Sequence, residues 1–419
     1  MGFGCRVVAG AAAVIRQPPS TLPTRVPALN PWGRQFGRTA NLALIEPPPP
    51  QLTPALDDDP DDPSHQRVTL AYDGAPDAAG VFAWVNRITE GPRAADGQMR
   101  RDRSGRWSTE FRVPRGAMAS YRFYVCADDD PAFVDGRVHF SRAVARGAVN
   151  DPANADSVAS PFGSVLRTDG APDLSRWRRT GRPAIALAAA GPLDADPDSG
   201  DPVRWRLTEP IGRDAPGPPR LVVLFDAGVW FDRCDLPGVL ARSRLRRPVA
   251  LLGIDAPAQP ASRLRLLGAN RDVLRAVAEL LDRARRRLGW DRCPAVWAGQ
   301  SLGGLSALAA AAWFPDAVDE VLAYSPSMWW RPGLTARPAD FTGERSWIAD
   351  ELAAAGDDHG ARAPVHVAVG DYEDLLVEPV EALADELAAA GLPVRSTRYA
   401  GGHDLPWWAH LLWRDLSEN

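Results

Sequence analysis

The stretch Ala295-Val296-Trp297-Ala298-Gly299-Gln300-Ser301-Leu302-Gly303-Gly304 constrains this chain more than any other. Mostly apolar residues run into Gly-x-Ser-x-Gly, and an alanine-rich segment follows. A buried strand, a tight turn and a helix are expected in that order, with Ser301 held on the turn in a strained backbone conformation. Glycine at 299 and 303 lets strand and helix approach closely enough for such a turn. Ser301 would then stand above the strand's C-terminal end, where the helix N-terminus adds positive potential. Gly-x-Ser-x-Gly alone arises by chance in a glycine-rich chain. The strand before it and the helix after it mark it as a nucleophile elbow.

At 419 residues the chain is long for one core, so two domains are expected. Apolar content of 45% and charged content of 24% are those of a soluble globular protein. A net charge of −5 argues against nucleic acid as a bulk partner. All 48 basic residues are arginine, so any anion-binding site must use guanidinium forks. Cys5, Cys126, Cys234 and Cys293 lie far apart without metal-ligand spacing, which suggests free, buried thiols in a reducing compartment. No apolar run is long enough to span a membrane. The short run Val7 to Ile15 is followed by Arg16 and prolines instead of a signal-peptide cleavage site. A cytoplasmic location is expected.

Residues 1–62 are proline-rich, with an acidic run from Asp57 to Asp62, and read as a disordered leader. Residues 63–180 carry short strand patterns (68–72, 80–85, 107–113, 120–125) separated by Gly/Asp/Pro loops, the texture of a β-sandwich. Residues 181–419 form the second domain. One strand, Val203 to Leu207, is expected between loops, and strands and helices alternate from Arg220. Leu221 to Phe225 and Val249 to Ile254 are continuous apolar runs, as parallel strands buried on both faces should be. Asn270 to Leu288 carries a helical apolar stripe closed by Gly289. Strands are expected at Val321 to Tyr324, Val365 to Val369 and Val394 to Tyr399, with a helix from Pro379 to Ala390. Repeated β-α units imply a mainly parallel sheet covered by helices, the α/β-hydrolase class, with function at the C-terminal strand ends.

A serine nucleophile needs a base, and the base an orienting acid, in the chain order Ser, Asp/Glu, His. Of the histidines beyond residue 360, His366 falls inside a strand and His410 inside the C-terminal helix. His403 follows a strand on the glycine loop Gly401-Gly402-His403-Asp404, which could carry it over the sheet. The acid should lie in Gly370-Asp371-Tyr372-Glu373-Asp374, where position does not choose among three carboxylates. The chemistry expected is acyl transfer through an acyl-serine. Its oxyanion would be held by the Leu302 N–H and by Ala227 or Gly228 after the strand ending at Phe225.

These residues resemble the enterochelin esterase family, the hydrolases that cut the serine trilactone of ferric enterobactin, from about residue 67 to the end. The resemblance is carried by Leu224-Phe225-Asp226-Ala227-Gly228 with Trp230, Gly299-Gln300-Ser301-Leu302-Gly303-Gly304, Ser325-Pro326-Ser327-Met328-Trp329-Trp330, Gly370-Asp371-Tyr372-Glu373 and Gly401-Gly402-His403-Asp404. In the N-terminal part, the tryptophan strand at 107 and Asp151-Pro152-Ala153-Asn154 fit the family's immunoglobulin-like sandwich domain. The resemblance implies Ser301 as nucleophile, His403 as base and Glu373 as acid, with Asp371 the alternative. It implies Arg263 and Asn270 beside the substrate, a ferric catecholate siderophore, with iron present only as part of that substrate and no cofactor. Trp230, Trp329 and Trp330 would offer aromatic faces, with core packing as their other reading. The chain departs from the pattern at Leu266, where the family usually has glutamate, and by alanine for a glycine between Asp226 and Asp235. A carbohydrate-linked ester, bound through a glycan-binding N-terminal module, is the alternative substrate.

Overall fold

Continuous apolar runs and amphipathic helices become one eight-stranded sheet with helices on both faces. The computed structural model describes residues 54–75, 77–181, 185–193, 203–255, 259–333, 345–355 and 363–418. Within the described residues, the N-terminal part contains β1 (Ala55–Asp58), β2 (His65–Tyr72), β3 (Gly80–Val85), β4 (Arg100–Arg101) and β5 (Trp107–Pro114). There follow β6 (Met118–Cys126), β7 (Phe133–Val134), β8 (Arg137–Val138), α1 (Arg142–Gly147), α2 (Asp156–Ala159) and β9 (Val165–Arg167). One sheet runs β1-β2-β5-β4 and another β3-β6-β9. Their alternating apolar positions, Val68, Leu70, Phe111 and Val113 from one, Val81, Ala83, Tyr121 and Phe123 from the other, share a single core. The leader was expected to reach Asp62, yet Ala55–Asp58 pairs antiparallel with β2. Asp59 and Asp62 in the same acidic run meet Arg112 of β5, which makes an acidic strand tolerable at a sheet edge. Residues 1–53 lie outside the described part.

The large sheet consists of β10 (Leu187–Leu193), β11 (Val203–Thr208), β12 (Arg220–Phe225), β13 (Val249–Ile254), β14 (Ala295–Gln300), β15 (Glu320–Tyr324), β16 (Val365–Gly370) and β17 (Val394–Tyr399). Its order is β10-β11-β13-β12-β14-β15-β16-β17. The strands from β13 to β17 run parallel, and β11 joins β13 antiparallel. This is the expected α/β-hydrolase architecture. The strand β10 was not foreseen, because Leu-Ala-Ala-Ala-Gly-Pro-Leu has little β propensity and forms only as the hairpin partner of β11.

The helices are α3 (Leu236–Ala241), α4 (Pro260–Leu267), α5 (Arg271–Leu288), α6 (Leu302–Trp313), α7 (Trp347–Ala354), α8 (Val377–Ala389) and α9 (Leu405–Glu418). Leu221, Val223 and Phe225 of β12 face a core completed by α5, α6 and α8. Val222 and Leu224 face the opposite core, completed by α3 and α9. Such double burial is why β12 reads as an unbroken apolar run. Gly289 closes α5 at φ 69°, where a side chain would be strained. The helix α8 begins at Val377, two residues before the expected start, with Pro379 still in its first turn. The described cysteines, Cys126, Cys234 and Cys293, are free and buried. No helix among the described residues is long and apolar enough to cross a membrane.

Candidate active site

Ser301 stands between β14 and α6 at φ 55° and ψ −120°, so the strain that the motif predicts is present at the serine itself. The glycines around it have no room for a side chain. A Cβ on Gly299 would lie 2.3 Å from the Gly303 carbonyl carbon, and one on Gly303 would lie 3.0 Å from the Phe225 Cβ. Gly299→Ala is therefore expected to destabilise the fold by about 2–4 kcal/mol, because backbone cannot retreat as a side chain can. Thermal unfolding would measure it, and an unchanged midpoint would contradict the packing described.

Two segments that could hold an oxyanion meet at Ser301. Leu302 opens α6, so its N–H has no partner within the helix. Asp226, at φ 57°, turns the chain after β12, and Val229 and Trp230 donate back to its carbonyl at 2.8 and 3.4 Å. Ala227 and Gly228 thus begin a helical turn with their N–H groups uncommitted to it. The side chain of Asp226 ties this turn to the elbow. It accepts Gln300 Nε2 at 3.0 Å and both Arg263 Nε and a terminal nitrogen of Arg263, at 2.9 and 2.6 Å. Arg263 is thereby a bidentate anchor of the turn, in a role the sequence did not disclose.

The strands β14 to β17 are parallel neighbours, so Ser301, Ser325, Glu373 and His403 all follow the C-terminal ends of their strands on the same side of the sheet. Glu373 is buried, and one of its oxygens meets His403 Nδ1 at 2.6 Å. Its other oxygen accepts the Ser325 hydroxyl at 2.6 Å, the Gly370 N–H at 2.8 Å and the Tyr399 hydroxyl at 2.9 Å. Burial pushes the Glu373 carboxyl up, but the His403 charge and these hydrogen bonds outweigh it and hold the carboxyl below its ordinary value. Trp408 stands edge-on to the His403 ring, with centroids 4.6 Å apart, and donates to Ser325 Oγ at 2.9 Å. The imidazole is thus fixed on two sides.

The competing carboxylates are used elsewhere: Asp371 pairs with Arg398 at 2.8 Å and Asp374 with Arg93 at 3.4 Å. His366 is buried with Nδ1 on Asp415 at 2.6 Å, and His410 lies beside Trp407 and Trp413. Burial, helped by Arg414 and Arg176, lowers the pKa of His410 to about 4. Among the described residues, the hydrogen-bond partner of the Ser301 hydroxyl is Ser327 Oγ at 3.3 Å, and no bond to His403 is formed in this conformer. Bonds of that kind are often long until substrate is held. Sequence pattern assigns Ser327 no role; its place after β15, beside the elbow strand, is the available signal.

One expectation is corrected, and two residues expected beside the substrate have structural partners as well. Trp230 is fully buried with its indole N–H on Gln300 Oε1 at 3.2 Å, so it packs the core and offers no face to a substrate. Asn270 caps α5 by accepting the N–H groups of Asp272 and Val273 at 3.1 and 3.2 Å, which occupies the side chain expected to meet substrate. Arg263 is engaged by Asp226, as described. Trp329 and Trp330 remain partly exposed; Trp330 donates its backbone N–H to the Ser327 carbonyl at 3.0 Å, and its ring packs edge-on to Trp347.

A family model described as "Putative esterase" matches residues 270–418. The iron(III) salmochelin esterase of Escherichia coli O6:H1 (strain CFT073) is 31% identical over 366 residues, covering 83% of this chain and 86% of that protein. The iron(III) enterobactin esterase of Dickeya dadantii (strain 3937) is 28% identical over 288 residues, covering 62% of each chain. The crystal structure of ferric enterobactin esterase from Salmonella typhimurium shares the fold, with a TM-score of 0.68 at 23% identity, over 87% of this chain and 95% of that one. With likeness to a salmochelin esterase across four-fifths of its length, around an elbow serine and a Glu373–His403 pair at the C-terminal strand ends, the chain belongs to the enterochelin esterase family.

Proposed function

We propose that this protein is a serine esterase that opens the ester bonds of a ferric catecholate siderophore such as enterobactin and releases iron inside the cell. The observation that carries the reading is the buried Glu373 carboxylate on His403 Nδ1, at the C-terminal strand ends where the strained Ser301 stands. His403 takes the Ser301 proton as the hydroxyl attacks the ester carbonyl, then returns a proton to the leaving alcohol. Water repeats the sequence on the acyl-serine. The N–H groups of Leu302 and of Ala227 or Gly228 hold the oxyanion. Trp329 and Trp330 supply aromatic faces for catechol rings. Arg263 acts one step back, by fixing the turn. The route asks for no resident cofactor, since iron enters as part of the substrate. The N-terminal sheets form an immunoglobulin-like sandwich in this reading, and the location is cytoplasmic.

Incubation with ferric enterobactin followed by chromatography is expected to give linear dihydroxybenzoyl-serine fragments. A fluorophosphonate probe is expected to label Ser301. Labelling without such fragments, together with cleavage of a feruloyl or acetyl saccharide ester, would replace the siderophore by a carbohydrate-linked substrate.

A further inference from the structure

The loop that carries His403 is held from outside the hydrolase sheet. Met118 of β6 donates its N–H to the Ala400 carbonyl at 3.0 Å, and its own carbonyl accepts the Trp407 indole at 3.0 Å. Asn86, just after β3, donates through Nδ2 to the His403 carbonyl at 3.2 Å. A Cβ on Gly402 would lie 2.5 Å from the Arg87 Cβ, so the two backbones meet where only glycine fits. The next residue, Asp404, is buried, and Ser120 of β6 takes both its oxygens. The Ser120 N–H reaches one at 2.5 Å and the hydroxyl reaches the other at 2.9 Å.

A buried carboxylate is costly unless its oxygens are satisfied. Ser120 and the Leu405 N–H satisfy the Asp404 oxygens, and the Arg233 charge adds to these bonds. Burial pushes the Asp404 carboxyl up against those hydrogen bonds. Hydrogen bonds to a charged acceptor are short and directional, suited to fixing a loop rather than merely covering it. The adjoining residue is His403, whose ring is fixed, among the described residues, through Glu373 and Trp408.

We propose that Ser120 and Asp404 form the contact by which the N-terminal strands position His403, making both positioning residues for acyl transfer. The inference rests on the esterase reading above. It assigns the N-terminal part a share in turnover in addition to any share in substrate binding.

The test is steady-state hydrolysis of p-nitrophenyl butyrate, with the rate of fluorophosphonate labelling of Ser301 alongside. Asp404→Ala is expected to lower kcat and the labelling rate about 10–100-fold while KM moves less than about twofold, since misplacing a catalytic group by about an ångström costs that much. Ser120→Ala keeps the backbone bond and should lose about 3–10-fold. Asp404→Asn can accept the N–H with its oxygen and donate to the Ser120 hydroxyl with its nitrogen, so it should come within about threefold of the unaltered protein. Ser120→Ala should add nothing on top of Asp404→Ala.

Asp404→Ala at the unaltered kcat overturns the proposal, as does Asp404→Asn as impaired as the alanine variant, or full additivity of the pair. Should Asp404→Ala fail to fold, Ser120→Ala decides alone: reduced kcat at constant KM supports the proposal and unaltered kcat overturns it. A parent protein that neither labels nor hydrolyses sinks the esterase reading itself; one that labels while its variants match it sinks only this inference.

Discussion

Ser301→Ala is expected to abolish ester turnover, by about 10⁵-fold in kcat, and to prevent fluorophosphonate labelling altogether. The size follows from the way a nucleophile and its base act as one unit: without the hydroxyl, His403 has no proton to take, and what remains is water held near an oxyanion pocket. Neither the core nor the sheet should notice, because among the described residues the hydrogen-bond partner of the Ser301 hydroxyl is Ser327, at 3.3 Å. Ser301→Gly carries the same loss with a gain. At φ 55° and ψ −120° a side chain is strained, and glycine relieves that strain by about 1 kcal/mol. The expected pair of results is an inactive protein that melts above its parent. Retention of turnover within about tenfold by Ser301→Ala would place the nucleophile elsewhere.

The second large effect is expected at Glu373. In Glu373→Gln the three donors on one oxygen, from Ser325, Gly370 and Tyr399, compel the amide to present its carbonyl there. Its NH₂ then faces His403 Nδ1 and forces the ring proton onto Nε2, the nitrogen that must receive the serine proton. The tautomer is wrong although the shape is right, and a loss of about 10³–10⁴ in kcat follows, with little change in KM. Stability should respond in a pH-dependent way. The folded Glu373 carboxyl titrates below its ordinary 4.5, so its ionised form stabilises the fold above that pH. That contribution fades as pH falls through the folded value. The glutamine variant lacks it, so the gap in melting temperature between the two proteins should be widest near neutrality and close in acid. A constant gap down to acid pH would contradict the role given to the carboxylate.

Much of this was written in local pattern. The elbow was legible because its strand, its glycines and its small-residue helix each answer a separate steric demand at one place in the chain. The strands β12 and β13 were legible because burial on both faces leaves Leu221 to Phe225 and Val249 to Ile254 without a polar residue to interrupt them. What escaped was set by distant partners. Choosing among Asp371, Glu373 and Asp374 needs the position of Arg398, of Arg93 and of His403, which the loop does not contain. Trp230 and Trp330 look alike in a sequence; the fully closed core around the first and the partly open surroundings of the second separate them. The pairing of β10 with β11 is decided by a neighbour rather than by its own residues.

The seam between Met118, Ser120 and the loop from Ala400 to Asp404 also bears on protein engineering. Chimeras that splice the front half of one homologue onto the back half of another would have to bring matched residues at 120 and 404, since a carboxylate facing an unsuited graft has nowhere to send its charge. Compatibility at that one joint, more than overall similarity, is then the practical rule for recombining these enzymes.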